Sequence, residues 1–581
     1  MRKIAAGMQK RVWQVQPTNG DAETLAASLE VSPLIAQVLI NRQLHKADHA
    51  RSFLSPKLTD LIEPERMFGV PEAAECIGAA IENGKKISIY GDYDVDGITS
   101  TAILWHLLKI LGAQVDYYIP HRMDEGYGLN ADAVRQLAEG GTELMITVDC
   151  GITGIEEVGL AHELGIEVIV TDHHEPGEHL PEAEAVVHPR LDPDYGNPHS
   201  AGAMVAFKLA WAIANRHKQG GQLPGELRQY LLNATTLAGI GTIADVVDLR
   251  GENRVLAGYG LKALENSSLV GIRTLVQTAQ VQASDVDSYA VAFRLAPMLN
   301  AAGRMGHARL AVELLTTDSE MRAMQIAQYL KDQNRLRQKC QRDIFKQAKQ
   351  RIIQAGLNHP DRKTIVLSDE NWHTGVIGIV ASKVIDTFYR PTLLINTTDG
   401  VGQGSGRSIA GFNLHGALTA CGEHLLSFGG HAMAAGLKIE TNRIAAFAEA
   451  IEAYAHENLD HEMLESFLEI DAETQVADFD KRVMKELNTL EPFGAGNPKP
   501  VFAARGVKLI APPRTVGARN DHLQISISDA SGAVRCIGFG MGKLEKKLLE
   551  TDTFSVAFEP QYNTYNGQTN LQFVLNDIQF E

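Results

Sequence analysis

Cysteine is scarce in this chain: there are five in 581 residues, Cys76, Cys150, Cys340, Cys421 and Cys536, far apart and never in C-x-x-C spacing. That excludes a disulfide framework and a zinc ribbon, and it suits a reducing cytoplasm. Long apolar runs are also missing. No stretch approaches the ~18 uninterrupted apolar residues of a membrane span, and "MRKIAAGMQKRVWQ" carries positive charge without an apolar core behind it, so neither export nor membrane insertion is expected. Basic residues are outnumbered, 54 Lys and Arg against 71 Asp and Glu, for a net charge of -17. A surface that coats nucleic acid all over is therefore excluded, although a local basic groove is not. Internal repeats and low-complexity tracts are absent, which sets aside solenoids and disordered tails. What remains, 44% hydrophobic and 22% charged residues, is the composition of a globular protein long enough for roughly three or four domains.

The regular part of the pattern begins near residue 86, after a helical stretch at 20–50 and a Pro- and Gly-broken approach. Strand "KISIY" is followed by a helix at 98–112, "QVDYYIP" by a helix near 130–139, "ELMITVD" by a helix near 155–164, and "EVIVTD" by a loop and "AVVHP". Strands alternating with helices predict right-handed βαβ units and a mostly parallel sheet covered on both faces. A long helix at 319–355 comes next. Between 331 and 351 it carries Lys331, Arg335, Arg337, Lys339, Arg342, Lys346, Lys349 and Arg351 against Asp332 and Asp343, which reads either as a solvated connecting helix or as a surface facing nucleic acid. A second α/β unit follows ("TIVLSD", "GVIGIVASKVIDTF", "PTLLIN"), with two Gly-rich segments, "GQGSGRSIAG" and "FGGHAMAAG". After "EPFGAGNPKPVF", short alternating strands such as "HLQISISD" and "TNLQFVLND" predict a small antiparallel, OB-like barrel.

The chemistry starts with "GDYDVDG", which places Asp92, Asp94 and Asp96 on alternate positions. Like charges so close call for a positive charge among them. An EF-hand loop opens in the same way, but its twelfth position should be a bidentate Glu and is Ile103 here, with a strand rather than a helix in front. The aspartates instead occupy a strand-to-helix turn. Asp149 ends "LMITVD", Asp172, His173 and His174 end "EVIVTDHH", and Asp245 interrupts an apolar run in "AGIGTIADVVDL". In open α/β sheets ligands bind beyond the carboxyl ends of the strands, so these distant segments are expected to converge on one crevice. Taken singly, each is as well explained by a helix cap or a surface turn; it is their coincidence that points to a site. Carboxylates and imidazoles without thiolate suit Mn²⁺ or Mg²⁺ better than structural zinc, and two such ions about 3.5–4 Å apart suit phosphoester hydrolysis. "GSGRS" is either a flexible turn or a phosphate cradle built on Ser405 and Arg407. Trp105, Trp211 and the cysteines read as packing residues. Phe539, Tyr562 and Tyr565 read either as base-stacking rings or as barrel core.

"GDYDVDG", "VDCGITG", "TDHH" and "GTIADVVDL" resemble, in this order, the four motifs of the DHH phosphoesterase superfamily. "LNAAGRMG", "WHTGVIGIVASKV", "GSGRS" and "FGGHAMAAG" look like the interdomain segment and DHHA1 domain of its exonuclease branch, and the resemblance extends over roughly 50–581. It implies an N-terminal helical segment (1–50), a parallel-sheet DHH catalytic domain (51–318), a connecting helix (319–355), an α/β DHHA1 substrate-binding domain (356–460) and an OB-like nucleic-acid-binding domain (461–581). It also implies two Mn²⁺ or Mg²⁺ ions bound by Asp94, Asp96, Asp149, His173 and Asp245, with Asp92 close by, and His174 facing the scissile phosphate. Asn300, Arg304, Ser405, Arg407, Gly430 and His431 would hold DNA phosphates or the 5′ end. One departure concerns Tyr90: many DHH phosphatases carry a His at this position, so Asp92 is expected to compensate at the first metal. The implied activity is two-metal 5′ to 3′ hydrolysis of single-stranded DNA, in repair and recombination. A narrow cleft between the two α/β domains would exclude duplex. The implied partners are single-stranded DNA, a single-strand-binding protein and a helicase, with no membrane, for a monomeric cytoplasmic enzyme.

Two other readings compete. Some DHH proteins hydrolyse small phosphate compounds, but such an enzyme needs neither the basic helix nor a further β domain. A scaffold without turnover, as among eukaryotic relatives, would be expected to have lost its metal ligands, and here they are intact.

Overall fold

A computed structural model describes residues 11–121, 125–126, 128–304, 307–398, 400–565 and 567–580. The described residues pack as two compact units, one within 51–336 and 490–498, the other within 11–50, 337–489 and 499–580.

The first unit is built on a five-stranded parallel sheet in the order Gln114–Tyr118, Lys86–Gly91, Leu144–Val148, Glu167–Thr171, Ala185–Val187. The three central strands read as apolar runs because both faces are covered, whereas the edge strand Gln114–Tyr118 is largely open. Lys86–Gly91 is buried at five of its six positions, and every residue of Leu144–Val148 is buried. From Lys86–Gly91 the chain crosses first to one neighbour and then to the other, so the topological switch point falls at the carboxyl end of this strand, where the aspartates follow. Helices Val95–Ile110 and Gly202–Asn215 pack against the sheet, Gly225–Ala244 packs on both of them, and their side chains dominate the core. Residues 490–498 belong to this unit: Leu249 N–H donates to the Ala495 carbonyl (2.8 Å), and the Arg254 guanidinium donates to the Glu491 carbonyl (2.7 Å).

The second unit contains a mixed five-stranded sheet in the order Ser427–His431, Ala434–Glu440, Val401–Arg407, Thr392–Thr398, Ile365–Asp369. The Gly-rich "GQGSGR" is thus a central strand, not a turn. Its glycines are needed because Ile395 and Ile439 fill the Cβ space of Gly402, Leu437 and Ile395 that of Gly404, and Leu414 that of Gly406. The C-terminal strands form a barrel, with Phe502–Leu509 pairing both with Phe554–Tyr565 and with His522–Ser528. Within it Phe558 and Phe573 stack, and Phe479 packs edge-on against Phe502, Phe558 and Phe573. Phe539 and Tyr562 are exposed, and the side chain of Tyr565 lies outside the described residues. The N-terminal stretch supplies helices Ala22–Leu29, Pro33–Asn41 and Ala47–Leu54, and also an unanticipated strand, Val12–Val15, pairing in parallel with Phe467–Ile470.

One helix, Glu320–Gln354, runs for 35 residues. Its basic side chains divide by environment. Arg337 is buried, Lys331 donates to the Thr278 carbonyl (2.8 Å) and Arg351 pairs with Asp369, whereas Arg335, Lys339, Arg342 and Lys346 are exposed. Among the described residues no single helix is long and apolar enough to cross a membrane.

Candidate metal centre

The strand ends of the first unit bring the predicted residues together. Asp94 is the N-cap of helix Val95–Ile110, its Oδ1 accepting from the Asp96 and Gly97 N–H groups (2.9 and 3.2 Å). Asp96, two residues further on, is held by a second helix: Oδ2 accepts from Gly202 N–H (2.6 Å) and Oδ1 from Ala203 N–H (2.9 Å), at the N-terminus of Gly202–Asn215. Asp149 follows its strand in a left-handed conformation, φ 61°, which is uncommon for a non-glycine residue and turns the carboxylate into the crevice. Asp245 does not come from a strand end. It is the C-cap of helix Gly225–Ala244, whose apolar run is buried on all sides and so carries no strand-or-helix signature. The next residue, Val246, sits at φ 65° and is exposed, a costly backbone state for a β-branched side chain.

His173 Nε2 is the centre of this arrangement. It lies 3.1 Å from Asp149 Oδ1, 3.7 Å from Asp96 Oδ2 and 3.8 Å from Asp245 Oδ2. It is buried without a hydrogen-bond partner among the described residues. His174 stands beside it, ring centroids 4.4 Å apart, with Nδ1 on Asp172 Oδ1 (2.8 Å). Asp172 is fixed in turn by the N–H groups of Ile152, His173 and His174.

The electrostatics separate the two imidazoles. Burial, reinforced by the charge of His174, pushes His173 down to about 3, so it is a neutral donor at physiological pH. Burial opposes the charge on His174 too, but the hydrogen bond and charge of Asp172 override it and lift His174 to about 9. Asp172, despite burial, is held at about 2 by the same bond. Burial and the neighbouring carboxylates push Asp96 and Asp149 well above the usual carboxylate range, and Asp245, through burial and then Asp94, up to about 6.

A divalent cation fits this donor set. Ligand atoms of Asp92, Asp94 and Asp149 lie within 4.8 Å of one another, as do those of Asp96, His173 and Asp245, and those of Asp149, His173 and His174. Asp149 belongs to two of these groups, so it could bridge two ions. Oxygen and imidazole donors without thiolate match Mn²⁺ or Mg²⁺. Tyr90 takes no part: wholly buried, it donates its hydroxyl to the Gly128 carbonyl (3.0 Å) and accepts from Asn130 Nδ2 (3.1 Å).

The space around the centre requires glycine twice. A Cβ on Gly202 would meet Asp149 Oδ1 at 2.7 Å, and one on Gly241 would meet Asp96 Oδ1 at 2.7 Å. The sequence gives no sign of these two glycines, and it places Asp172 at the strand end without a role for it. The hydrogen bond between Asp172 and His174 supplies that role, whereas the glycine contacts join segments far apart and leave no local signal.

The remaining predicted residues divide between the two units. Asn300 and Arg304 lie on helix Ala296–Arg304 of the first unit, where Gly303 packs so tightly that its Cβ would meet the Tyr93 carbonyl oxygen at 2.4 Å. Ser405, Arg407, Gly430 and His431 lie on the sheet of the second unit. Arg407 and His431 both stand opposite Ala434, and Ser405 opposite Gly436, which places the three side chains on one face. Arg407 Nη1 donates to Ser405 Oγ (3.1 Å). Gly430, at φ 131°, has no room for a Cβ beside the Ala434 carbonyl oxygen (2.4 Å).

Comparison with known proteins agrees with this architecture. Residues 86–236 match the DHH family N-terminal domain, 361–457 the DHHA1 domain and 470–577 the RecJ OB domain. The single-stranded-DNA-specific exonuclease RecJ of Bacillus subtilis is 38% identical over 98% of this chain and 71% of its own length. The chain belongs to the RecJ family. The Escherichia coli RecJ exonuclease is 31% identical, over 96% of this chain and 97% of its own. The crystal structure of RecJ in complex with Mn²⁺ from Thermus thermophilus superposes with a TM-score of 0.84 at 34% identity, covering 99% of this chain and 80% of that one. The Mg²⁺ complex of the same RecJ gives 0.78 at 32% identity, covering 98% and 78%.

Proposed function

We propose that this chain is a metal-dependent exonuclease that degrades single-stranded DNA from the 5′ end and releases 5′-mononucleotides, acting in DNA repair and recombination. The observation that carries this reading is the buried His173 ringed by Asp96, Asp149 and Asp245 at the switch point of the sheet, in a chain of the RecJ family. Its domains are taken as catalytic (51–318), connecting helix (319–355), DHHA1 (356–460) and OB (461–581). Asp92, Asp94, Asp96, Asp149, His173 and Asp245 would hold two Mn²⁺ or Mg²⁺ ions. When bound, the ions neutralise the carboxylates, polarise the scissile phosphate and make water a better nucleophile.

The chain's own residues do the rest. Asp149 brings both groups of ligands into one centre. His173 stays neutral and so can donate its lone pair. His174, kept protonated by Asp172, offers its remaining N–H to the negative charge that grows on the phosphate. Asn300, Arg304, Ser405, Arg407, His431 and the backbone at Gly430 hold phosphates of the strand, and capture of a terminal phosphate by Arg and N–H donors gives 5′ polarity. The OB domain grips the strand further along. A single-strand-binding protein and a helicase are its natural assistants, and the enzyme works as a monomer in the cytoplasm. Digestion of single-stranded DNA with Mn²⁺ or Mg²⁺ and not with EDTA, lost in Asp149→Ala, tests this reading. Hydrolysis of pyrophosphate or short RNA in place of DNA would overturn the substrate assignment.

A further inference from the structure

Helix Ala296–Arg304 is the end of a longer helical run. Before it come Ser288–Ala290 and a π-helical turn, Val291–Leu295, a feature frequently found at functional sites. Burial along the run defines one outward face: Tyr289, Phe293, Pro297, Asn300 and Arg304 are exposed or half-buried, while Ala290, Val291, Leu295, Ala296, Met298, Leu299 and Ala301 to Gly303 are buried. At its far end stand two aromatic rings open to solvent. Tyr289 is 40% and Phe293 58% exposed, and their centroids lie 4.6 Å apart at 32°. Packing explains neither position. Arg294, next along the run, donates from its guanidinium to the Ala279 and Gln280 carbonyls.

The other end of the run meets the metal centre, where Gly303 packs on the Tyr93 carbonyl within "GDYDVDG". At about 1.5 Å per residue, Phe293 stands about 15 Å and Tyr289 about 20 Å up the helix from that contact. We infer that Tyr289 and Phe293 form a stacking platform for bases of the single strand, several nucleotides from the scissile phosphate. This inference rests on the nuclease reading above. The occupant follows from continuity, because the same face carries Asn300 and Arg304 and leads to the aspartate loop. Aromatic faces accept any base, as a nuclease without sequence preference requires.

The test uses the full chain and its Phe293→Ala, Tyr289→Ala and Phe293→Trp variants. Affinity for a fluorescent single-stranded oligodeoxynucleotide is measured by anisotropy in EDTA. Hydrolysis of that strand and of a 5′-phosphorylated dinucleotide is measured with Mn²⁺. The platform predicts affinity roughly tenfold weaker in each Ala variant, a matching rise in KM for the long strand, and a loss confined to that strand. Phe293→Trp retains affinity, and its indole fluorescence is quenched on binding. Unchanged affinity in both Ala variants would overturn the inference, as would an equal loss on the dinucleotide, which marks a role in folding the helix. If the unaltered protein binds but hydrolyses neither substrate, the nuclease reading falls, while the anisotropy still reports the platform.

Discussion

At the scale of single residues, the account turns on buried charge. Asp149 belongs to two of the three ligand groups and lies 3.1 Å from His173, so its loss takes a ligand from both of them. Asp149→Ala is expected to lower the rate of DNA hydrolysis by at least about 10³-fold and to abolish the rise in melting temperature that Mn²⁺ gives the unaltered protein. Thermal melts with and without the ion check the second part independently of activity. Proton linkage gives another expectation. Asp245, raised to about 6, carries a proton where an ordinary carboxyl does not, and a cation requires the charged form. Mn²⁺ affinity should therefore fall as the pH drops through about 6, with protons released on binding. Without metal the sign reverses: a raised carboxyl pKa stabilises the fold at low pH, and that contribution is lost as the pH rises through about 6. Calorimetric titration in buffers of different ionisation enthalpy, with melts across this range, reads both.

At the scale of elements, helix Gly202–Asn215 positions the centre with its N-terminal N–H groups, and Gly202 must remain small. Gly202→Ala should weaken Mn²⁺ binding at least tenfold, because backbone or carboxylate has to move. Gly159→Ala, on helix Ile155–Glu163 with nothing within 4 Å of the new methyl, should leave Mn²⁺ affinity unchanged and add roughly 0.5–1 kcal/mol of stability. Binding isotherms on the two variants compare them directly. Much of this scale was legible in the sequence. The strands of the parallel sheet announced themselves as apolar runs ending in Asp or Asp-His-His, since burial on both faces leaves no alternation. The helix that carries Asp245 was not legible as such, because an all-round buried helix shows no amphipathic period. "GQGSGR" read as a flexible turn or a phosphate cradle and not as a strand, because its glycines answer to large neighbours on adjacent strands, a requirement no local pattern records. Val12–Val15 was invisible for the same reason, its partner strand lying at Phe467–Ile470.

At the scale of the molecule, the first unit is tied together by a buried ion pair. Lys208, wholly buried on the helix that positions Asp96, donates to Glu252 and to the Ile62 carbonyl, and Glu252 accepts from Tyr195 (2.9 Å). Burial holds Lys208 below its ordinary pKa, with Glu252 opposing. Lys208→Met leaves the carboxylate uncompensated, and roughly 3–5 kcal/mol of stability should be lost in denaturant melts. The acidic surface as a whole gave no hint of a DNA-processing enzyme; the motifs at the strand ends did, and the long-range geometry binds them into one centre.

The most direct measurement is digestion of 5′-labelled and 3′-labelled single-stranded DNA, with duplex, RNA and pyrophosphate beside them, in Mn²⁺ or Mg²⁺ and again in EDTA. The account predicts immediate release of the 5′ label as mononucleotide, progressive shortening of the 3′-labelled strand, resistance of the duplex and no reaction in EDTA. Persistence of both labelled strands in the presence of metal, while pyrophosphate or RNA is hydrolysed, would contradict it.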